Sequence, residues 1–320
     1  MKVVVTGATG AIGRPLVRQL AGRGHRVVGT TRSGEKAARL RAGGAEPVVL
    51  DVLDREALVD AVVRAAPDAV VHQATALSGR FDMRHFSRFF EPTNRLRTAG
   101  TDLLLEAARA AGAGRFLAQS YAGWPFGSDR PGLLSEDDPL DRSLPREMRS
   151  TAHAIAHLEA TTLGAGELDG IVLRYGSFYG PGTSLWPGGE VVEALRKRQL
   201  PVVGAGAGVW SLIHVEDAAA ATVTALERGA PGVYHIVDDD PTSVAELLRE
   251  LARIVGTKPP LRVPAWLARP LIGEAGVWVM TRVRGVSNAR AKRELGWTPR
   301  YPSWRDGFAA GVSIDAAVEA

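Results

Sequence analysis

Three glycines near the amino end have the spacing of a phosphate-binding turn. Gly7, Gly10 and Gly13 follow an apolar β-branched run at 3–5 and precede a helix-like segment that begins at Arg14. In such a turn the first glycine permits the bend, the second lets backbone approach a pyrophosphate, and the third lets the helix pack on the strand. The free N–H groups of the helix N-terminus then face the phosphates. Because a strand precedes and a helix follows, the spacing predicts a dinucleotide site.

The residues after the second predicted strand, at 25–30, indicate which dinucleotide. An acidic residue at this place binds the ribose 2′-OH of NAD. Here the chain has Thr31, Arg32 and Ser33, and a guanidinium pairs well with a 2′-phosphate. The sequence predicts that NADP(H) is preferred over NAD(H), with Arg32 as the contact. A solvated arginine in a loop is the alternative.

Buried strands alternate with helices through the first half of the chain. The strands are predicted at 3–5, 25–30, 47–50, 69–72, 115–119 and 171–174, and the helices at 14–21, 35–42, 54–66, 89–111 and 147–163. This alternation is typical of an α/β fold, here a Rossmann-type doubly wound parallel sheet. It breaks after Gly180. We therefore expect a dinucleotide-binding domain at 1–177, to which 213–237 returns, and a smaller C-terminal substrate domain at 178–212 and 238–320.

Composition narrows the class of protein. Of 320 residues, 45% are hydrophobic and 23% charged, as in globular proteins. The absence of cysteine excludes disulfides and thiolate metal sites, and the histidines lack ligand spacing with carboxylates, so no metal is expected. The net charge of +4 is spread along the chain, which argues against a nucleic-acid partner. Without a leader or an apolar run of membrane-spanning length, we expect a cytoplasmic protein with no membrane partner.

Further motifs run in a fixed order along the chain. They are Thr6-Gly7-Ala8-Thr9-Gly10-Ala11-Ile12-Gly13, His72-Gln73-Ala74, Asn94, Arg174-Tyr175-Gly176-Ser177-Phe178-Tyr179-Gly180-Pro181-Gly182, Ile213-His214-Val215-Glu216-Asp217-Ala218 and Leu295-Gly296-Trp297. In these motifs the sequence resembles the extended short-chain dehydrogenases/reductases, the NAD-dependent epimerase/dehydratase-like group. The resemblance implies a homodimer formed through the helices at 89–111 and 147–163.

The resemblance also implies the cofactor contacts. The turn residues that would hold the pyrophosphate are Gly7, Thr9, Gly10, Ala11, Ile12 and Gly13. Asp51 and Val52 would flank the adenine, Gln73 and Ala74 would lie along the pyrophosphate and ribose, and Tyr175 would lie near the nicotinamide.

The catalytic centre departs from the family pattern. The family has a Tyr-x-x-x-Lys pair on the helix after the fifth strand, where lysine lowers the pKa of the tyrosine that exchanges the substrate proton. Alignment on that helix places Thr151 and Ile155 there, so the chain is an atypical member that lacks the pair. The candidate replacements are Ser120, Tyr121 and His153. Each has an alternative role: a loop hydrogen bond for the serine, packing on the cofactor for the tyrosine, and a surface position for the histidine.

Two residue types that this chain lacks narrow the class of substrate. Nucleotide-sugar enzymes of the family usually carry an arginine where this chain has Trp210, and an asparagine where it has Ser177. Trp124, Trp186 and Trp210 fall on segments expected to rim the cleft, and aromatic walls favour a flat or apolar substrate. The predicted substrate contacts are these three tryptophans and Ser177. These tryptophans would otherwise hold the smaller domain together. The remaining tryptophans, Trp266, Trp297 and Trp304, are predicted to pack in the core.

These patterns together predict an NADP(H)-dependent oxidoreductase for a non-nucleotide, aromatic or polycyclic small molecule, in which Ser120 and Tyr121 polarise the substrate oxygen. Two alternatives stay open: an epimerase- or lyase-like enzyme that retains NAD(P), and a dinucleotide-sensing protein without turnover.

Overall fold

The computed structural model describes residues 1–77, 82–127 and 131–318. The strands are β1 Lys2–Thr6, β2 Arg26–Thr31, β3 Ala45–Val49, β4 Ala69–His72, β5 Arg115–Tyr121, β6 Asp169–Tyr175, β7 Ser177–Tyr179, β8 Val202–Val203, β9 Val209–Trp210, β10 Leu212–His214, β11 Gly232–Ile236, β12 Thr242–Ser243 and β13 Arg262–Val263. The helices are α1 Gly13–Gly22, α2 Gly34–Ala42, α3 Arg55–Ala65, α4 Phe86–Arg95, α5 Thr101–Ala110, α6 Arg146–Leu163, α7 Glu190–Arg196, α8 Val215–Arg228, α9 Val244–Ile254, α10 Ala265–Thr281 and α11 Trp304–Val318.

A seven-stranded parallel sheet forms the centre, in the order β11-β6-β5-β4-β1-β2-β3. Val4 of β1 pairs with Val28 of β2 on one side and with Val70 of β4 on the other. Two apolar cores cover the opposite faces of this sheet, because alternate side chains of each strand point to opposite faces. Neighbouring valines of β1 accordingly enter different cores. The prediction of a doubly wound α/β sheet is confirmed.

The second half of the chain adds three two-stranded sheets: β10 with β7, β12 with β9, and β13 with β8. Within the segment predicted to return to the main sheet, β11 lies beside β6, whereas β10 pairs with β7 outside that sheet. The core of this region contains Trp304 and Phe308. Trp297 is also buried, but Trp266 is 73% exposed on α10, so its assignment to core packing is wrong.

The helix predicted at 89–111 is one continuous helical run of three parts. Between α4 and α5 the residues Leu96–Gly100 form a π-helical turn. The Thr101 hydroxyl donates a hydrogen bond to the carbonyl of Arg97 at 2.8 Å, which stabilises the wider turn from within. Such turns are rare and occur often at functional sites, because the extra residue rotates the side chains that follow. Here the turn contains the Arg97 side chain that reaches the cleft described below.

Within the described ranges, no helix is long and apolar enough to cross a bilayer. The same part of the chain holds no group of three His, Asp or Glu side chains arranged to bind a metal ion.

Candidate active site

A cleft of about 1100 Å³ opens at the carboxyl ends of the central strands. In open α/β sheets, ligands bind in this crevice, where the strand order reverses. The cleft begins at the end of β2, passes the glycine turn after β1, and ends among aromatic side chains beyond β5. The structure therefore brings the predicted cofactor residues other than Tyr175, and several predicted substrate residues, to one continuous surface.

The glycine turn has no space for side chains at two of its three glycines. Gly7 has φ +71°, and a Cβ there would lie 2.4 Å from the carbonyl oxygen of Gln73. A Cβ on Gly13 would lie 2.2 Å from the Gly7 carbonyl oxygen. Gly10 differs, because a Cβ there would meet only the Gly7 carbonyl, at 3.2 Å, and would otherwise point into the open cleft. The turn thus keeps its backbone bare where a ligand approaches.

The N-terminus of α1 is open toward the cleft. Its first flanking residue, Ile12, makes no side-chain capping hydrogen bond, and the backbone N–H groups of a helix start need partners. Thr9, Gly10, Ala11, Ile12 and Gly13 all line the cleft at this point. These groups fit the pyrophosphate of a dinucleotide, which supplies the missing acceptors.

The end of the cleft beyond β2 is basic. Arg32 and Ser33 line it, with Asp51 and Val52 opposite. Lys36, in the first turn of α2, lines it as well. The Ser33 hydroxyl caps α2 by accepting a hydrogen bond from the Lys36 backbone N–H at 3.4 Å. Sequence reasoning missed this second cation, although its place three residues after a capping serine would have put it in the first helical turn.

Gln73 and Ala74 line the middle of the cleft. The Gln73 amide nitrogen donates to the Tyr175 hydroxyl at 3.0 Å, and that hydroxyl lies 2.6 Å from Thr222 Oγ1. Burial raises the pKa of Tyr175 to about 12. Tyr175 is fully buried behind Gln73 and does not line the cleft. The predicted contact of Tyr175 with the nicotinamide stays a prediction, and this burial argues against it. Phe178 lines the cleft.

Ser120 lies behind the cleft wall. Its hydroxyl donates to Glu159 Oε1 at 2.5 Å. The same carboxylate accepts two hydrogen bonds from Arg174, at 2.8 and 2.7 Å. All three side chains are buried, and Ser120 is not among the residues that line the cleft. A direct catalytic role for Ser120 stays a prediction, and this placement argues against it.

Tyr121 points the other way, into the cleft. Its hydroxyl lies 3.2 Å from Ser177 Oγ, which also lines the cleft. Burial raises the pKa of Tyr121, while the hydrogen bond with Ser177 and the charge of Arg97 act in the opposite direction. The site therefore presents a phenol–hydroxyl pair to whatever occupies this end.

Thr151 and Ile155, the residues predicted to stand in place of the usual Tyr-Lys pair, have structural environments. Thr151 is fully buried, and its hydroxyl accepts a hydrogen bond from the Asn94 amide at 3.0 Å. Ile155 is 1% exposed within an apolar cluster. His153 is exposed and lines an outer groove between α4 and α6, together with His157. A catalytic role for His153 stays a prediction, and its position outside the cofactor cleft argues against it.

Aromatic rings form the inner end of the cleft. Trp124 packs edge-on against Phe86, with ring centroids 5.3 Å apart, and lies 6.3 Å from the Tyr121 ring. Trp210 lines the cleft too, and its indole N–H donates to the Val279 carbonyl at 3.0 Å. This end therefore fits a flat apolar ligand.

The fourth predicted substrate contact lies elsewhere. Trp186 stacks on Phe308, with ring centroids 5.4 Å apart, and does not line the cleft. A substrate contact by Trp186 stays a prediction, and this placement favours the alternative of core packing.

Arg97 is a cleft residue that sequence reasoning missed. Its side chain is only 6% exposed, and Nη1 has no hydrogen-bond partner among the described residues. Burial lowers the pKa of Arg97 to about 10, while Glu159 and Tyr121 act to raise it. The orientation of the Arg97 side chain depends on the π-helical turn, and the sequence pattern does not indicate that turn.

Comparisons with known proteins agree with this geometry. The model of the NAD dependent epimerase/dehydratase family matches residues 3–237. A 3-diazoavenalumate denitrifying reductase from Streptomyces sp. is 44% identical over 311 residues, covering 96% of this chain and 99% of that protein. A 2-alkyl-3-oxoalkanoate reductase from Stenotrophomonas maltophilia is 29% identical, covering 98% and 96%.

Solved structures share the fold. A UDP-glucose 4-epimerase from Thermotoga maritima superposes with a TM-score of 0.78 at 24% identity, covering all of both chains. DesIV, a dTDP-glucose 4,6-dehydratase from Streptomyces venezuelae with NAD bound, gives a TM-score of 0.77 at 25% identity, covering 99% and 97%.

Proposed function

Since this chain belongs to the NAD-dependent epimerase/dehydratase family, we propose that it is an NADPH-dependent reductase of a non-nucleotide aromatic small molecule. The family and the reductase relatives make it an NAD(P)-dependent oxidoreductase of the extended short-chain dehydrogenase/reductase type. One observation carries the finer proposal. A single cleft has two cations at the end where the adenosine belongs and an aromatic wall at the other end.

The residues of the cleft suit a dinucleotide along most of its length. The α1 N-terminus and Gly10 would hold the pyrophosphate, and Asp51 and Val52 the adenine. The side-chain amide oxygen of Gln73, Oε1, is buried without a partner among the described residues, so it is free to accept a hydrogen bond from the ligand. When bound, the reduced nicotinamide supplies a hydride to an electrophilic carbon of the substrate.

The preference for NADPH rests on Arg32 and Lys36. Both line the cleft where β2 ends and α2 begins, which is where the 2′-position of the adenine ribose lies in this type of fold. A guanidinium and an ammonium there favour a 2′-phosphate over a hydroxyl. The Ser33 hydroxyl is committed to capping α2, so the charge selectivity falls to the two cations.

The choice of electrophile starts from Thr151 and Ile155, the residues predicted in place of the usual Tyr-Lys pair. A ketone that accepts hydride becomes an alkoxide and needs a proton donor, and neither Thr151 nor Ile155 is one. Replacement of a diazonium group differs, because hydride and Ar–N₂⁺ give Ar–H and N₂ with no proton taken up. The denitrifying reductase that is 44% identical acts on a diazo compound. We therefore propose a diazo-bearing aromatic carbon as the hydride acceptor.

The test is a substrate panel followed by NADPH absorbance. Purified protein is incubated with NADPH and a stable arenediazonium salt, an aryl ketone or a quinone, each beside an enzyme-free reaction. The proposal expects NADPH loss above the enzyme-free rate with the diazonium salt, together with N₂ release and the arene. Loss with none of the three acceptors contradicts reductase activity.

Ketone reduction is the second candidate, and Tyr121 favours it. Its phenol shares a hydrogen bond with Ser177 inside the cleft, which is the position a proton donor requires. The 2-alkyl-3-oxoalkanoate reductase among the relatives points to the same chemistry. An alcohol product from the ketone, without any arene from the diazonium salt, would decide for this candidate.

We also propose that the protein is a homodimer. The groove between α4 and α6 is lined by polar side chains, including Arg88, Glu91, His153 and His157, and a second copy would cover it. Light scattering at micromolar concentration tests this, and a mass of one chain would refute it.

A further inference from the structure

The Arg97 guanidinium is buried although the described residues provide no ion-pair partner for it. It lies in the π-helical turn, 6% exposed, at the wall of the cleft. Nη1 is buried without a hydrogen bond, and no carboxylate forms an ion pair with Arg97 anywhere in the described ranges. A buried charge is costly unless it is paired, so an Arg97 partner is expected from outside the folded chain.

Among the described residues, the one carboxylate whose charge acts on the pKa of Arg97, Glu159, is already paired. Glu159 accepts two hydrogen bonds from Arg174 and one from Ser120. This bidentate pair is geometrically complete. Glu159 therefore raises the pKa of Arg97 only through space, without a contact that would satisfy its N–H groups.

The Arg97 charge acts on Tyr121, the last residue of β5, on Glu159 of α6 and on His72 at the end of β4. Of these three side chains only Tyr121 lines the cleft, as Arg97 itself does, so the free charge borders the cleft at its Tyr121 end. Tyr121 is in turn 6.3 Å from the Trp124 ring. A cation beside a phenol and an aromatic wall matches a flat molecule that carries one negative oxygen.

Building on the proposed function, we infer that Arg97 binds an anionic oxygen of the aromatic substrate, a carboxylate or a phenolate. The five N–H donors of a guanidinium suit either group, and pairing removes the cost of the buried charge. Arg97 is then the specificity residue that selects aromatic anions over neutral aromatics of the same shape.

The test measures equilibrium binding, so that it does not depend on turnover. Wild-type protein with NADP⁺ is titrated with 2-naphthoate, 2-naphthol and 2-naphthamide, using calorimetry. Naphthoate preferred over naphthamide at pH 7 assigns a carboxylate site. If naphthol binds more tightly as the pH rises toward the pKa of naphthol, the result assigns a phenolate site. Equal affinity for the acid and the amide, with naphthol independent of pH, overturns the inference.

Variants locate the effect. Arg97→Met should weaken the preferred anion about 10- to 100-fold, since hydrogen bonds to a charged group are worth about 1.5–3 kcal/mol, while naphthamide and NADPH bind unchanged. Arg97→Lys should retain part of the preference. Arg64→Met, at an exposed position of α3 outside both the cleft and the outer groove, is the matched control and should have no effect. Equal loss for acid and amide in Arg97→Met overturns the inference.

Thermal unfolding separates this from misfolding. Because the charge is buried and unpaired in the free protein, Arg97→Met should raise Tm without ligand while it lowers anion affinity. Should Arg97→Met not fold, Arg97→Gln is titrated in its place. An enzyme that binds naphthoate through Arg97 but oxidises no NADPH with any acceptor refutes the reductase proposal alone. One that reduces neutral and anionic aromatics equally refutes this inference alone.

Discussion

Ser120→Ala separates a structural serine from a catalytic one. The Ser120 hydroxyl donates to Glu159 at 2.5 Å, in a buried network that Arg174 completes. The substitution removes one charge-assisted hydrogen bond and leaves the carboxylate paired with the guanidinium. The expected cost is about 1.5–3 kcal/mol of unfolding free energy, because no buried donor is left unsatisfied.

The assay compares stability with activity. For a chain of 320 residues, 1 kcal/mol shifts Tm by about 1–2 °C, so Ser120→Ala should lower Tm by about 2–5 °C. Its kcat and its NADPH affinity should stay within about twofold of wild type, because Ser120 does not line the cleft.

Ser177→Ala is the matched control. It removes a hydroxyl that lines the cleft and bonds with Tyr121, so it should change kcat with little effect on Tm. A 100-fold fall in kcat for Ser120→Ala at unchanged Tm would refute the structural interpretation of Ser120.

The remaining predictions concern the two cations beyond β2, the Tyr121 phenol and the buried Asp238. Arg32→Asp should weaken NADPH binding about 100-fold while NADH binding changes little, and Lys36→Ala should do the same more weakly; equal losses for both coenzymes, by calorimetry, would contradict the 2′-phosphate site. Tyr121→Phe should lower kcat for ketone reduction about 100-fold or more but leave most of the diazonium reduction. A severe loss of both activities would contradict a role for Tyr121 as proton donor in ketone reduction alone. Burial raises the pKa of Asp238 to about 8, so the folded state retains a proton that the unfolded state loses above about pH 4. Stability should therefore fall as pH rises from about 4 to 8, and Asp238→Asn should flatten that fall in urea unfolding; an unchanged slope would contradict it.

The sequence predicted the parts of the site that depend on backbone pattern. Gly7 and Gly13 lack space for a Cβ, so their types are dictated by the turn itself. Arg32 follows directly from the end of a buried strand. Such features are local, and spacing alone locates them at the sheet edge.

The remaining features depend on side-chain direction. Ser120 and Tyr121 are neighbours on β5, and successive side chains of a strand point to opposite faces. One therefore enters the buried network of Glu159 and the other the cleft, and the strand pattern does not tell which. Arg97 depends on the π-helical turn, which shifts the helical register by one residue without a signal in hydrophobic periodicity.

The central claim is that this cleft delivers hydride from NADPH to an aromatic carbon. The direct measurement uses NADPH carrying deuterium at C4, as the (4R) and the (4S) form in separate reactions, with an arenediazonium salt. If the enzyme delivers hydride from NADPH, one of the two forms should transfer deuterium to the carbon that carried nitrogen. Mass spectrometry of the arene detects this deuterium. An arene without deuterium from either form, or no arene above the enzyme-free reaction, would contradict it.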